Sequence, residues 1–106
     1  MKNMTAAQLL RGIGDADARP ALANITISGV QTDSRKVQPG DLFVAIQGER
    51  SDGHRYAAQA LADGAVLVMG HRPVQEVAGV KAEKYLQAED ILDAMIALGA
   101  NYRDVF

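Results

Sequence analysis

The chain has 106 residues, 48% of them hydrophobic, enough for one domain with one core and too many for a disordered segment. Eleven basic and 13 acidic residues leave a net charge of -2, which excludes the basic excess of a general nucleic-acid binder. With no cysteine there are no disulfides or thiolate metal sites, and no run approaches the roughly 18 apolar residues of a membrane span.

The first residues lead into a short amphipathic segment and not into a signal-peptide core, so a cytoplasmic protein is expected. Thr5 and Gln8 have capping-box spacing, and Ala6, Leu9, Leu10 and Ile13 share one face, which predicts a helix over about 5–12. Gly12 and Gly14 stop it. The polar stretch 15–24, with Pro20, reads as a loop. Ile25 and Ile27 alternate with Thr26 and Ser28 as in a half-buried strand. Residues 29–32 then lead into the most informative part of the chain.

There a polar cluster (Thr32, Asp33, Ser34, Arg35) is followed by Pro39-Gly40, the centre of a predicted type II turn. The apolar run 42–46 has strand length and no polar face, as in a strand covered on both sides. A second polar cluster follows: Gly48, Glu49, Arg50, Ser51, Asp52, Gly53 and His54. In a central strand this cluster lies at the carboxyl end, where open α/β sheets bind ligands. Asp52 is positioned to cap a second helix with Tyr56, Ala57, Ala60 and Leu61 on its apolar face and Gly64 at its end. The run 65–69 is another buried strand. Strand, helix, glycine and strand make a βαβ unit with parallel strands.

Residues 70–73 break the chain again, and 74–82 is ambiguous. Residues 84–87 read as a short edge strand, polar on one side. Asp90 caps a third helix with Ile91, Met95, Leu98 and Tyr102 in a stripe and Arg103 in its last turn. The predicted fold class is α/β: a small mixed or mostly parallel sheet with a central βαβ unit and flanking helices.

The blocks Asp33-Ser34-Arg35-Lys36-Val37, Pro39-Gly40-Asp41-Leu42-Phe43-Val44-Ala45, Gly48-Glu49-Arg50, Asp52-Gly53-His54 and Gly64-Ala65 closely resemble the N-terminal domain of the Mur ligases. These are ATP-dependent amide ligases of peptidoglycan synthesis. The likeness covers about residues 5–106. It is nearest the two later enzymes, which add the third stem-peptide residue and the D-alanyl-D-alanine dipeptide. Gly48-Glu49-Arg50 and the closing stretch 97–103 resemble the dipeptide-adding branch more.

The resemblance implies a three-domain ligase. Its N-terminal domain holds the UDP end of UDP-N-acetylmuramoyl-peptide; a central domain binds ATP and Mg2+; a third completes the enzyme. The sequence contains no G-x-x-x-x-G-K-[S/T] loop. Residues 1–106 are therefore expected to be a single substrate-binding domain, with the ATPase and C-terminal domains absent. It should have no cofactor or catalytic residue of its own, and its partners should be the substrate and those other domains. The alternative is a stand-alone nucleotide-sugar-binding or interaction module, for which the apolar Tyr102 and Phe106 offer a surface.

By the family's pattern Thr32, Ser34 and the loop Glu49, Arg50, Ser51 occupy UDP-contact positions. Ser34 supplies a hydroxyl, Arg35 and Arg50 guanidinium forks, and Gly48 and Gly53 close backbone approach. Asp33, Pro39, Gly40, Asp52, Gly53 and His54 complete the motif. Plainer roles compete. Asp33 can cap its own turn or pair with Arg35, and Arg35 and Lys36 can be solvated surface. Asp52 can be only a helix cap, His54 a structural first-turn residue and His71 an exposed loop residue. Two histidines 17 residues apart, without paired carboxylates, do not suggest a metal.

Overall fold

The two apolar runs become neighbouring parallel strands. In chain order the strands of the computed structural model, which describes residues 1–105, are β1 (Met4–Thr5), β2 (Thr26–Ile27), β3 (Gly29–Gln31), β4 (Asp41–Val44), β5 (Leu67–Gly70) and β6 (Tyr85–Gln87). β3, β4, β5 and β6 form one parallel sheet in that order, while β1 and β2 pair antiparallel as a separate ribbon. The helices are α1 (Ala6–Leu9), α2 (Ala57–Ala62) and α3 (Ile91–Val105). The expected βαβ unit is β4, α2 and β5.

Side chains alternate across a strand, so a strand buried on both faces feeds two cores. Leu42, Val44, Leu67, Met69 and Leu86 pack with Leu9 and Leu10 near α1 and with Ala94 and Leu98 of α3. Phe43, Ala45, Val68 and Tyr85 face the other way, against Ala57 and Ala60 of α2 and against Val77. The register Leu42–Leu67, Phe43–Val68, Val44–Met69 keeps like faces together.

Several boundaries differ from expectation. α1 is one turn long, although its capping box is complete: Gln8 N–H donates to Thr5 Oγ1 and Thr5 N–H to Gln8 Oε1. The loop 15–24 contains two 3₁₀ turns, Ala16–Ala18 and Pro20–Leu22, the second started by its proline. Strands β1 and β3 are too short for any periodicity to announce. Strand pairing in the run 42–46 ends at Val44; Ala45 N–H still donates to Met69 O at 2.8 Å, but Ile46 is exposed.

In the run 65–69, Ala65 and Val66 send their N–H groups to Ala60 O and Asp41 O, so β5 starts at Leu67. Tyr56 belongs to a 3₁₀ turn, Gly53–Tyr56, and not to α2, so it lies on the surface rather than on the buried face. β6 is an edge strand, yet Tyr85 and Leu86 are both buried. Arg19 supplies that edge with donors, to Tyr85 O and to Ala82 O.

Asp90 caps α3 through Asp93 N–H at 3.0 Å. Leu98 of the predicted stripe is buried, and Ile91, Met95 and Tyr102 pack against the core. Phe106 lies outside the described residues.

The predicted turn is present. Asp41 N–H donates to Gln38 O at 3.1 Å, and Gly40 has φ 91°, the positive value a type II turn needs at its third residue. Gly40 also donates to Gly64 O and accepts from Ser28 N–H, both at 2.9 Å, tying the amino ends of the sheet together. A Cβ at Gly40 would stand 2.5 Å from Ser28 Oγ. Gly40→Val combines that clash with a backbone conformation a β-branched residue resists. It should cost about 2 kcal/mol or more and lower the melting temperature by roughly 10 °C. A thermal melt checks this; an unchanged midpoint would mean the turn can be rebuilt.

Candidate functional site

Two loops leave the carboxyl ends of β3 and β4. In the first, Gln31 Oε1 accepts from Thr32 N–H and Asp33 N–H, both at 3.0 Å. Asp33 Oδ1 accepts Arg35 N–H at 3.0 Å and so caps the 3₁₀ turn Ser34–Lys36. The Arg35 guanidinium adds a two-pronged bond to the same carboxylate, from Nε at 3.1 Å and Nη2 at 2.9 Å. Asp33 thus fills both of its plainer roles. Arg35, first through its side chain and then through its backbone N–H, holds the Asp33 carboxyl down at about 2; the pairing raises Arg35 in return. The Arg35 side chain is 86% exposed, so this pair adds little stability.

The second loop, 46–53, closes on itself. Gln47 and Asp52 pair as an antiparallel bridge, Gly48 N–H donates to Ser51 O at 2.7 Å, and Gly53 N–H donates to Ile46 O at 2.9 Å. Glu49 and Arg50 stand exposed at its turn. Beneath it Asp52 is a junction. Its Oδ1 accepts from His54 N–H at 3.0 Å and from the buried His54 ring Nδ1 at 2.5 Å, and its Oδ2 accepts Arg72 Nε at 2.8 Å. His54 Nε2 accepts Arg72 N–H at 3.3 Å, which assigns the ring proton to Nδ1. Burial pushes the Asp52 carboxyl up, but the hydrogen bonds from His54 and Arg72 outweigh it and hold it at about 2. Tyr85 donates to Arg72 O at 2.6 Å; burial, above all, pushes its hydroxyl up to about 12. Gly70 makes room for this cluster: a Cβ there would meet Tyr85 Oη at 2.6 Å.

The two loops face one cleft of about 410 Å³, lined by Thr32, Asp33, Ser34, Arg35, Phe43, Ile46, Ser51, Gly53 and Tyr56. A neighbouring hollow of about 670 Å³ is lined by Ile46, Gln47, Gly48, Glu49, His71, Glu89, Asp90, Ile91 and Leu92. Ile46 lines both, and the 46–53 loop stands between them. Thr32, Ser34, Arg35 and Ser51 therefore converge, whereas Gly48 and Glu49 turn to the second hollow and Arg50 to solvent. Pro39 and Gly40 lie at the amino end of β4, away from the cleft. Asp52 and His54 sit behind it as structural groups. His71 is half-buried, its ring edge-on to His54 at 4.8 Å between centroids, and is not the plain exposed loop residue expected.

Sequence reasoning missed Tyr56, Phe43 and Ile46 as lining residues and Arg72 as the partner of Asp52. Tyr56 sits in a 3₁₀ turn, whose period of three moves it off the α-helical face. For Arg72 no signal existed, because Asp52 and Gln47, the partners that tie it to the loop, lie 20 and 25 residues upstream.

The cleft is polar without net charge. Of its lining residues Asp33 and Arg35 are charged, and they pair with each other; over residues 31–55 as a whole, four cations and four carboxylates also sum to zero. An anion here would be held by hydroxyls, backbone N–H groups and local geometry. Among the described residues no three histidine or carboxylate side chains cluster where a metal ion could sit.

A family profile described as "Mur ligase family, catalytic domain" matches residues 26–103. The chain is 47% identical over 76 residues to UDP-N-acetylmuramoyl-L-alanyl-D-glutamate--2,6-diaminopimelate ligase of Syntrophomonas wolfei, covering 72% of this chain and 15% of that protein. It is 45% identical over 78 residues to UDP-N-acetylmuramoyl-tripeptide--D-alanyl-D-alanine ligase of Mycobacterium leprae, covering 70% and 15%. Among solved structures, MurF from Acinetobacter baumannii matches with a TM-score of 0.72 at 32% identity, over 98% of this chain and 22% of that one. MurF from Thermotoga maritima in complex with ADP gives 0.62 at 28%, over 73% and 17%. The chain thus spans about 15% of the length of these two curated relatives.

The Asp52 junction has a pH signature. A carboxyl lowered from 3.8 to about 2 by folding stabilises the fold fully above pH 4; that stability is lost as pH falls through about 2. Asp52→Asn should be less stable at neutral pH and should lose less on acidification from pH 4 to pH 2. Melting temperatures across that window check it; parallel curves for the two proteins would remove Asp52 from the acid response.

Proposed function

The chain belongs to the Mur ligase family, and from that premise we propose that it is the family's N-terminal substrate-holding domain. It grips the uridine diphosphate end of UDP-N-acetylmuramoyl-peptide for a cytoplasmic ATP-dependent ligase whose remaining domains make the bond. The observation that carries this reading is the convergence of 32–35 and 51–53 on one cleft at the carboxyl ends of parallel strands. Its volume lies in the range of small-molecule sites. Ser34, Thr32 and Ser51 offer hydroxyls to a pyrophosphate. The half-exposed ring of Tyr56 offers a face to uracil. The domain contributes binding and positioning, and no residue in it reacts. No helix among the described residues is long and apolar enough to cross a membrane.

For the added group we infer the D-alanyl-D-alanine dipeptide. The A. baumannii MurF structure supports this by matching 98% of the chain. The diaminopimelate-adding reading is favoured by the S. wolfei relative at 47% identity. Transfer of diaminopimelate or of the dipeptide by the full-length ligase separates the two.

Titration of the domain with UDP, followed by calorimetry and amide shifts, tests the pocket. Shifts should concentrate in 32–35 and 51–56, and UDP should bind more tightly than UMP because only UDP presents a pyrophosphate. Ser34→Ala should weaken UDP about fivefold, the equivalent of one ordinary hydrogen bond of ~1 kcal/mol. Tyr56→Ala should weaken both nucleotides roughly tenfold, through lost stacking. Shifts confined to other parts of the sheet would overturn the assignment.

A further inference from the structure

We propose that Arg72 is a positioning residue: it ties the 46–53 loop to the chain beyond β5, and so sets the wall of a cleft it does not itself line. The inference rests on reading that cleft as the nucleotide pocket.

Arg72 follows β5 by two residues, and its own backbone is clamped on both sides. Its N–H donates to His54 Nε2 at 3.3 Å, and its C=O accepts Tyr85 Oη at 2.6 Å. From that anchored position the guanidinium reaches three acceptors: Asp52 Oδ2 from Nε at 2.8 Å, Gln47 Oε1 from Nη2 at 3.3 Å, and Glu76 Oε1 from Nη1 at 3.3 Å. Gln47 and Asp52 are the bridge pair that closes the loop at its base. Arg72 therefore holds both legs of the loop at once. Ser51 and Gly53, on the second leg, line the cleft. An ammonium group could not replace the fork, because Nε and Nη2 serve different legs from one rigid plane. An ordinary surface ion pair would show neither the anchored backbone nor the split fork: the Arg72 side chain is 32% exposed and Asp52 19%.

The test uses the whole chain. Arg72→Lys keeps the charge and loses the split fork; Gln47→Ala removes one exposed tie and leaves the core untouched; Glu76→Ala removes a partner outside the loop. Amide exchange in the free protein reads loop order at Gly48 and Gly53, whose N–H groups are bonded within the loop. UDP titration reads the cleft.

Arg72→Lys and Gln47→Ala should each raise exchange at Gly48 and Gly53 about fivefold and weaken UDP by a similar factor. The amides of β4 and β5 should be unchanged, and Glu76→Ala should alter neither reading. Exchange rising equally in β4 and β5 would reduce Arg72 to a general stabiliser and overturn the proposal. So would a loosened loop with unaltered UDP affinity, or an unaltered loop. Should Arg72→Lys fail to fold, Gln47→Ala decides. Should the unaltered protein take no UDP, the nucleotide pocket fails, and loop exchange alone then decides whether Arg72 orders the loop.

Discussion

The structure depends on burying both faces of the strand pair β4 and β5. A strand with no solvent face must be covered by something on each side. Leu42 and Val44 face one core, and Phe43 and Ala45 the other. Parallel neighbours cannot be joined by a hairpin, so the chain between them has to cross over, and α2 is that crossing. One consequence reaches the site. Parallel strands deliver all their carboxyl ends to the same edge, so the loops after β3, β4, β5 and β6 meet there. The cleft between 32–35 and 51–56 and the hollow beyond it follow from strand direction before any side-chain chemistry is considered.

That same edge carries a cost. Loops meeting without regular pairing leave donors and acceptors that must be satisfied. Asp52 answers it with one carboxylate, which caps the 3₁₀ turn, receives the His54 ring and receives Arg72. A partly buried carboxylate is expensive unless hydrogen-bonded throughout, and here the bonds outweigh the desolvation. Among the described residues no buried side-chain polar atom lacks a partner, so the junction is closed. The junction ties the 46–53 loop, through Asp52 and Arg72, to the segment after β5. On the proposed reading, a domain that holds a substrate for chemistry done elsewhere would gain more from such a tie than from a reactive group.

How much of this was legible depended on the length scale of each signal. The runs 42–46 and 65–69, the Pro39-Gly40 turn, the Thr5–Gln8 capping box and the Asp52 and Asp90 caps are all local. Residues within a few positions settle them, and the sequence displays them. β1 and β3 have two and three residues and exist only because a partner strand is present. A 3.6-residue period places Tyr56 on a buried helix face, whereas the turn it occupies has a period of three. Of the site, the serine and threonine positions could be named, and so could Asp33's double role. Their convergence with Tyr56, and the tie through Arg72, arise from tertiary contacts that no local pattern encodes.

The charge balance of the cleft edge bears on how it would discriminate ligands. Its lining carries one cation and one carboxylate, Arg35 and Asp33, paired with each other, so it presents no net charge to draw every anion in. Arg35, the nearest guanidinium, already spends two donors on Asp33, so a phosphate must compete with a carboxylate that is ionised throughout the physiological range. A lone phosphate gains little by that exchange. A ligand that also fills the space beside Tyr56 and meets the hydroxyls of Thr32, Ser34 and Ser51 gains at several points together. On the proposed reading, neutral electrostatics with converging hydroxyls would favour a nucleotide as a whole over its phosphate alone. A strongly positive cleft would instead be filled by any small anion.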